Sequence, residues 1–283
     1  MKWTNNWNLP DRIIRQVGKM YQPKPNRLSV THLINCPRER HLLETRWDDV
    51  VLDYRDFLST IIGIAVHERQ DRLSTEDEQH EEHLETKVGE WTVVGRSDNR
   101  DGEIIRETKT KSTFILQYEK AKKDFLREVE CQLNVYAHLH RLHGNPISAL
   151  ELDLFFRDWK QRELEQAQPK YAVVKRGRKR AIKLFDTQES AENFIEMYGD
   201  SELSVEFRES KFYPKTEVEH SMPIELWTTE RAEQYVQDQV ELFTLDQMYC
   251  DEQCTWEGRK CAQYCKARSV CEKSPCFLGK DRS

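Results

Sequence analysis

Residues 95–109, Gly95-Arg96-Ser97-Asp98-Asn99-Arg100-Asp101-Gly102-Glu103-Ile104-Ile105-Arg106-Glu107-Thr108-Lys109, decide the reading of this chain. Two strand-like runs, Trp91–Gly95 and Glu103–Lys109, flank a turn marked by Asn99-Arg100-Asp101-Gly102. Asp98 ends the first strand. Glu107 and Lys109 stand two apart on the second, so they leave the same face. Two carboxylates that converge on one point suit a hard divalent ion such as Mg2+ or Mn2+. A lysine beside that ion can orient or deprotonate a water and stabilise charge on a phosphate. Asp followed by Glu-x-Lys also arises by chance in hairpins with a merely solvated face, so the flanking sequence has to be weighed.

Working outward, Phe57, Leu58, Ile61, Ile62, Ala65 and Val66 recur at helical spacing between Tyr54 and about Leu73. Gly63 and His67 lie four apart and share a face of that helix. The acidic stretch Ser74 to Glu82 reads as a solvated loop or a frayed helix, and His83–Val88 as a strand. Downstream, a long helix is predicted over about Tyr118–His143, stopped by Gly144-Asn145-Pro146. Ala149–Phe156 is apolar enough for a largely buried strand. Residues 1–27 read as a partly helical arm; Ser29 or Thr31 could cap a short helix holding Leu33 and Ile34, with Cys36 near its end.

Residues 164–212 read as an insertion with a ββαβ pattern. Tyr171–Lys175 and Ala181–Phe185 form a hairpin around Gly177, and Asp186-Thr187-Gln188-Glu189 resembles a capping box opening a helix that runs to Gly199. Leu203–Arg208 alternates as a half-buried strand should. The run Lys175, Arg176, Arg178, Lys179 and Arg180 sits on the hairpin, where it can meet phosphates without reading sequence; the bland alternative is a solvated loop balanced by nearby acids. A strand near Met222–Leu226 and a helix from about Thr228 to Met248 follow. The divisions are a 1–27 arm, a core over 28–163 and 213–249, the 164–212 insertion and a cysteine-rich tail, 250–283.

With Gly63-Ile64-Ala65-Val66-His67 ahead of the hairpin and Gln132-Leu133-Asn134-Val135-Tyr136 on the helix after it, the arrangement resembles the PD-(D/E)XK nucleases. The likeness is to their RecB-like branch, which includes CRISPR-associated exonucleases and phage members. It covers most of the chain from about Leu28 to Cys276, excluding the insertion. It implies an α/β fold with a central mixed sheet flanked by helices, like the restriction endonucleases. It also makes His67, Asp98 and Glu107 metal ligands, joined by the backbone carbonyl of Thr108. Lys109 becomes the catalytic lysine, and Gln132 and Tyr136 line the site, contacting DNA or holding the lysine and water. Each has a plainer reading: His67 as a satisfied histidine on an apolar face, Gln132 and Tyr136 as helix packing. Glu85, just before the hairpin, is a weaker candidate better explained by exposure. Phe156-Arg157-Asp158-Trp159 resembles an element of phage-type members, but a structural ion pair beside a packed tryptophan explains it equally well.

Six of the eight cysteines, Cys250, Cys254, Cys261, Cys265, Cys271 and Cys276, crowd the tail, while Cys36 and Cys131 stand alone. In a reducing compartment such a cluster more often binds metal than forms disulfides. The same branch pairs one upstream cysteine with three near the C-terminus around a four-iron four-sulfur (4Fe–4S) cluster. That implies Cys36, in its Cys-Pro-Arg context, with Cys261, Cys265 and Cys271. Three residues separate Cys261 from Cys265 where two are usual. Four thiolates equally suit a structural Zn2+. Cys250, Cys254 and Cys276 are surplus, and Cys131 reads as a small apolar helix residue.

The chain has 283 residues with 37% hydrophobic and 33% charged residues, enough for a full core. No apolar run approaches the length of a membrane span, and Met1–Leu9 has no secretory apolar core, so the expectation is a cytoplasmic protein with no membrane partner. For a phage-encoded chain that means the host cytoplasm. The net charge of −6 weighs only lightly against a nucleic-acid partner, because the distribution of charge matters more than its sum. The expected function is Mg2+- or Mn2+-dependent exonucleolytic cleavage of DNA, single-stranded or duplex with ends, in phage replication or recombination or in CRISPR-like spacer processing. An integrase, helicase or recombination protein is the expected protein partner. A structure-specific endonuclease of the same fold and a non-catalytic DNA-binding subunit are the alternatives.

Overall fold

The computed structural model describes residues 1–17, 20–72, 78–113, 115, 118–158, 170–209, 221–244, 260–261 and 264–272. In chain order they form β1 (Lys2–Thr4), α1 (Asp11–Ile14), β2 (Arg27–Ser29), α2 (Val30–Leu33), α3 (Pro37–Thr45), β3 (Val51–Asp53) and α4 (Leu58–Asp71). The hairpin strands follow: β4 (Glu78–Val88), β5 (Trp91–Asp101) and β6 (Ile104–Lys111). Then come α5 (Glu119–Leu142), β7 (Ala149–Phe156), β8 (Lys170–Lys175), β9 (Ala181–Phe185), α6 (Gln188–Tyr198), β10 (Leu203–Arg208), β11 (Ser221–Ile224) and α7 (Thr229–Thr244). The chain is α/β, with a mixed sheet flanked by helices.

Two compact units result. One comprises Met1–Thr110, Asp124–Asp153 and Ser221–Ser283; the other, Lys111–Lys123 and Leu154–His220. The second is wider than the 164–212 segment expected.

The six-stranded sheet of the first unit runs β11-β7-β6-β5-β2, with β4 also on β5. β4 follows one edge of β5 from Trp91 to Asp101. The other edge is shared: β2 runs parallel to Thr92–Val94, and β6 pairs antiparallel with Asn99–Asp101. Between these ladders lie residues 95–98, and Asp98 is among them. Gly95 allows a close approach there: an added Cβ would stand 2.9 Å from Leu139 Cδ1 and 3.0 Å from the Tyr136 ring, so α5 would have to give. α5 thus presses against the strand just before Asp98. The core around it includes Leu28, Val93, Ile105, Val129, Leu133, Leu139, Leu150 and Leu152, all almost wholly buried. Each such side chain contributes on the order of 1.5–3 kcal/mol.

A smaller apolar cluster joins the two ends of the chain. Ala267, Val270 and Cys271 pack with Leu42, Leu43, Val50 and Leu52, and Met1, Trp3 and Phe57 lie against them. Trp3 stacks on Tyr54 at 4.7 Å between ring centroids.

In the second unit the sheet order is β10-β8-β9, antiparallel throughout. α6 packs on it through Ala191, against Val173 and Leu203. Thr187 caps that helix, accepting from the Ser190 amide at 3.2 Å. Asp158 accepts from the Thr113 amide at 2.8 Å and from the Ser112 hydroxyl. Asp158 is therefore a structural anchor; Trp159 lies outside the described residues.

Several expectations need correction. The arm is partly helical as expected, at Asp11–Ile14, but it also carries a strand, because Lys2–Thr4 pairs in parallel with Val51–Asp53. Cys36 does not end the first helix; it is the N-cap residue of the next, α3. Ser29 takes the expected cap position, in a reciprocal box with His32. The helix containing His67 starts at Leu58, after a tighter turn over Tyr54–Phe57. Glu78–Glu82 belong to β4 rather than to a loop. Asn99, Arg100 and Asp101 lie in the ladder, and the turn is the two residues Gly102-Glu103, with Gly102 at φ +56°. Asp98 is consequently inside β5, not at its end. The expected loop start at Ser74 and the helix end beyond Thr244 fall outside the described residues, wholly or in part.

Candidate active site

Glu107 is the centre of the site. It is 2% exposed on β6, within the sheet between β5 and β7. Its Oε1 accepts from Gln132 Nε2 at 3.0 Å and pairs with the Lys109 ammonium. Its Oε2 is buried with no hydrogen-bond partner. A buried carboxylate oxygen left this way is costly, and it is accounted for by an ordered water, a bound ion or a catalytic use of the group. Burial pushes the Glu107 carboxyl above the ordinary range; Lys109 pulls it down, and Asp98 adds to the rise. Burial also opposes the charge on Lys109, but Glu107 and Asp98 outweigh it and raise the lysine above its usual value.

The remaining expected residues gather around this pair. Asp98 Oδ2 accepts from the Thr108 backbone amide at 3.2 Å, a donor lying beyond the β5–β6 ladder. His67 Nδ1 is 3.7 Å from the same Asp98 oxygen. Gln132 Nε2 is 3.3 Å from the Tyr136 hydroxyl, whose pKa is raised by burial and by Glu107. Gln132, Tyr136, Leu139 and His140 fall on one stripe of α5, so one helix face serves both the carboxylate and the strand carrying Asp98. Among the described residues, no three His, Cys, Asp or Glu side chains stand together as a ready metal shell. In this structure the Lys109 ammonium supplies the positive charge on Glu107. Glu85 is half exposed and pairs with Arg27 at 3.4 Å, at a distance in sequence from these groups.

Two contacts had no signal in the sequence. Ser97 Oγ lies 3.0 Å from His140 Nε2 with both residues fully buried, which fixes β5 to α5 one residue before Asp98. Burial, opposed by Glu82 and aided by Arg100, lowers His140 to about 4, so the ring is neutral. Gln70 Nε2 donates to Thr108 Oγ1 at 2.9 Å, tying α4 to β6. Both pairs are more than 35 residues apart in sequence, and no local motif marks them.

At the cysteine end, Cys36, Cys261, Cys265 and Cys271 are thiols. Cys265 is pushed up by burial and Glu39, and it also feels the nearby Cys261 and Cys36. Cys271 accepts from Arg38 Nε at 3.4 Å, and Arg38 Nη2 is 2.6 Å from Glu272. The 264–272 segment is further held by Lys266 N on Glu39 (2.9 Å), Arg46 on the Val270 carbonyl (3.3 Å) and Val51 N on Ser269 (2.9 Å). Cys250, Cys254 and Cys276 lie outside the described residues. Cys131 is half-buried beside Tyr235, not packed as a purely apolar group.

In the second unit the basic hairpin is not uniform. Lys175 pairs with Glu202 at 2.9 Å and Asp200 at 3.3 Å. Arg176, Arg178, Lys179 and Arg180 are exposed. Lys175 is thus already neutralised, as the bland reading held, and the other four are presented to solvent.

The fold and this grouping define an α/β protein with a buried carboxylate paired to a half-buried lysine on a central strand. Among the described residues no helix is long and apolar enough to cross a membrane. A scan against protein-family models finds no match, and a search of curated proteins finds none. Among solved structures, one titled "Crystal structure of SSO0001" is similar at 14% identity, with a TM-score of 0.46 over 93% of each chain.

Proposed function

We propose that the chain is a metal-dependent DNA exonuclease with a PD-(D/E)XK core. The observation that carries the reading is the unpartnered, buried Oε2 of Glu107, set beside Lys109 and within electrostatic reach of Asp98 and His67. His67, Asp98, Glu107 and the Thr108 carbonyl would supply hard oxygens and one imidazole once drawn together on an ion, a donor chemistry that suits Mg2+ or Mn2+. Bound there, the ion would lower the pKa of a water and neutralise the scissile phosphate. Lys109, released from Glu107, orients the attacking water and balances charge on the phosphate. Gln132 keeps Glu107 aimed, and Tyr136, neutral at all working pH, completes the wall of the site. Arg176, Arg178, Lys179 and Arg180 would add sequence-independent affinity for the DNA backbone.

Cys36, Cys261, Cys265 and Cys271 are assigned to a 4Fe–4S cluster with a stapling role, zinc being the alternative metal for the same thiols. The test of the catalytic reading is Lys109→Ala. This variant should keep its circular dichroism spectrum and its Mn2+ binding while cleavage falls by roughly 10²–10³. A fully active variant would remove Lys109 from the mechanism, and with it the assignment.

A further inference from the structure

α4 carries His67, yet none of its described residues is buried; Ile62 and Ile64 are each 42% exposed. Packing therefore sets only in part where this helix sits. What ties it to β6 is polar and local. Gln70, one turn beyond His67 and on the same side of the helix, donates to Thr108 Oγ1 at 2.9 Å. Thr108 is 7% exposed, and its own amide donates to Asp98 at 3.2 Å. At the other end of the contact, Gly63 comes close enough that a Cβ would sit 3.4 Å from Thr110 Oγ1. A closed circuit results: Gln70 to Thr108, Thr108 to Asp98, Asp98 back to His67 at 3.7 Å.

We propose that Gln70 is a positioning residue that seats α4 on the hairpin and so sets the reach of His67 to the bound ion. The inference rests on the metal-site reading above and deepens it. No described residue of α4 is fully buried, though Leu58, Ile61 and Val66 are half-buried, so polar contacts carry much of its placement. The Gln70–Thr108 bond and the His67–metal bond stabilise that same placement. Losing the first weakens the second. One hydrogen bond of ordinary strength corresponds to about a three- to tenfold change in an equilibrium.

The test needs no DNA. Mn2+ affinity is measured by calorimetry on the full chain for wild type, Gln70→Ala, Thr108→Val, the double variant and Asp98→Ala. Hydrogen exchange of the α4 amides is followed in metal-free protein. Gln70→Ala should bind Mn2+ about three- to tenfold more weakly, and its α4 amides should exchange faster without metal. Thr108→Val should do the same, and the double variant should be no worse than either single one. Gln70→Ala with unchanged affinity and exchange, or additive losses in the double variant, would overturn the positioning role while Asp98-dependent binding persists. Wild type that binds no Mn2+, or binds it undiminished in Asp98→Ala, would instead overturn the metal site and this inference with it.

Discussion

The hairpin and the cysteine-bearing end belong to the same compact unit, and they treat their polar groups in different ways. Around Glu107 a carboxylate oxygen is buried without a partner, and the charge beside it comes from the half-buried Lys109. At the 264–272 segment the polar groups meet protein: Arg38 with Cys271 and Glu272, Lys266 N with Glu39, Arg46 with the Val270 carbonyl. The apolar contacts of Ala267 and Val270 add to these. A site that leaves an acceptor unsatisfied gives up stability for a ligand, while a seam that satisfies its own groups can stand before any ligand arrives. On the account proposed here, metal at the hairpin is there for chemistry and metal at the cysteines for cohesion.

The largest effect should come from the hairpin. Glu107→Gln keeps size and shape but removes the charge, and Mn2+-dependent cleavage should fall by at least roughly 10², with an unchanged circular dichroism spectrum. Activity near wild type would mean that the buried carboxylate does not serve the reaction.

At the cysteine end the predicted change is in stability. Stripping metal with a chelator, or replacing Cys271 with Ala, should lower the melting temperature by roughly 10 °C, since a saturated tight site adds about 4 kcal/mol. The stripped protein should still melt cooperatively, held by the ion pairs and the Val270 cluster. Loss of all cooperative unfolding would erase the contrast between the two regions. Iron against zinc is settled in the same samples by metal analysis and visible absorbance.

The third effect concerns pH. His140 is held neutral down to about 4, whereas an unfolded chain takes up that proton near 6.5. Its burial therefore costs nothing above pH 6.5, and stability is lost as pH falls from there toward 4. The loss should be on the order of 2–3 kcal/mol. His140→Gln should be flatter over that window in urea titrations, though His32, also lowered to about 4, leaves part of the slope in place. Equal slopes would show that the Ser97–His140 contact does not bury a neutral ring.

The smallest effect lies in the second unit. Reversing Arg176, Arg178 and Arg180 should weaken DNA binding and reduce its salt dependence by about 0.9 in log–log slope per lost phosphate contact. Lys175→Met should leave that slope alone, because Asp200 and Glu202 already neutralise this lysine. Identical slopes for the triple variant and wild type would turn the basic loop back into a solvated one.

Much of the fold was legible because its signals are local. The Ala149–Phe156 strand coincides with its expected bounds, and the strand, strand, helix, strand order over 170–208 follows its turn and cap residues. Where the reading erred, distant partners had overridden local composition. Asn99-Arg100-Asp101 resembles a turn, yet Arg100 reaches Glu82 and Asp101 pairs with Arg106 across the ladder. The acids at 78–82 read as solvent-facing, yet Glu82 lies in a strand opposite Ser97. Trp3 finds its strand partner Leu52 far along the chain. In the candidate site, spacing put Glu107 and Lys109 on one face of a strand and the family resemblance singled them out; Gln70 and the Ser97–His140 pair needed three dimensions.

The central claim is tested most directly by incubating end-labelled linear DNA, single- and double-stranded, and a closed circle with metal-loaded protein and Mg2+ or Mn2+, beside Asp98→Ala. The account predicts progressive loss from the ends of linear DNA, abolished in the variant, with the circle left intact. Cutting of the circle would instead mark an endonuclease of the same fold. No cleavage of any substrate, or equal cleavage by Asp98→Ala, would contradict the account.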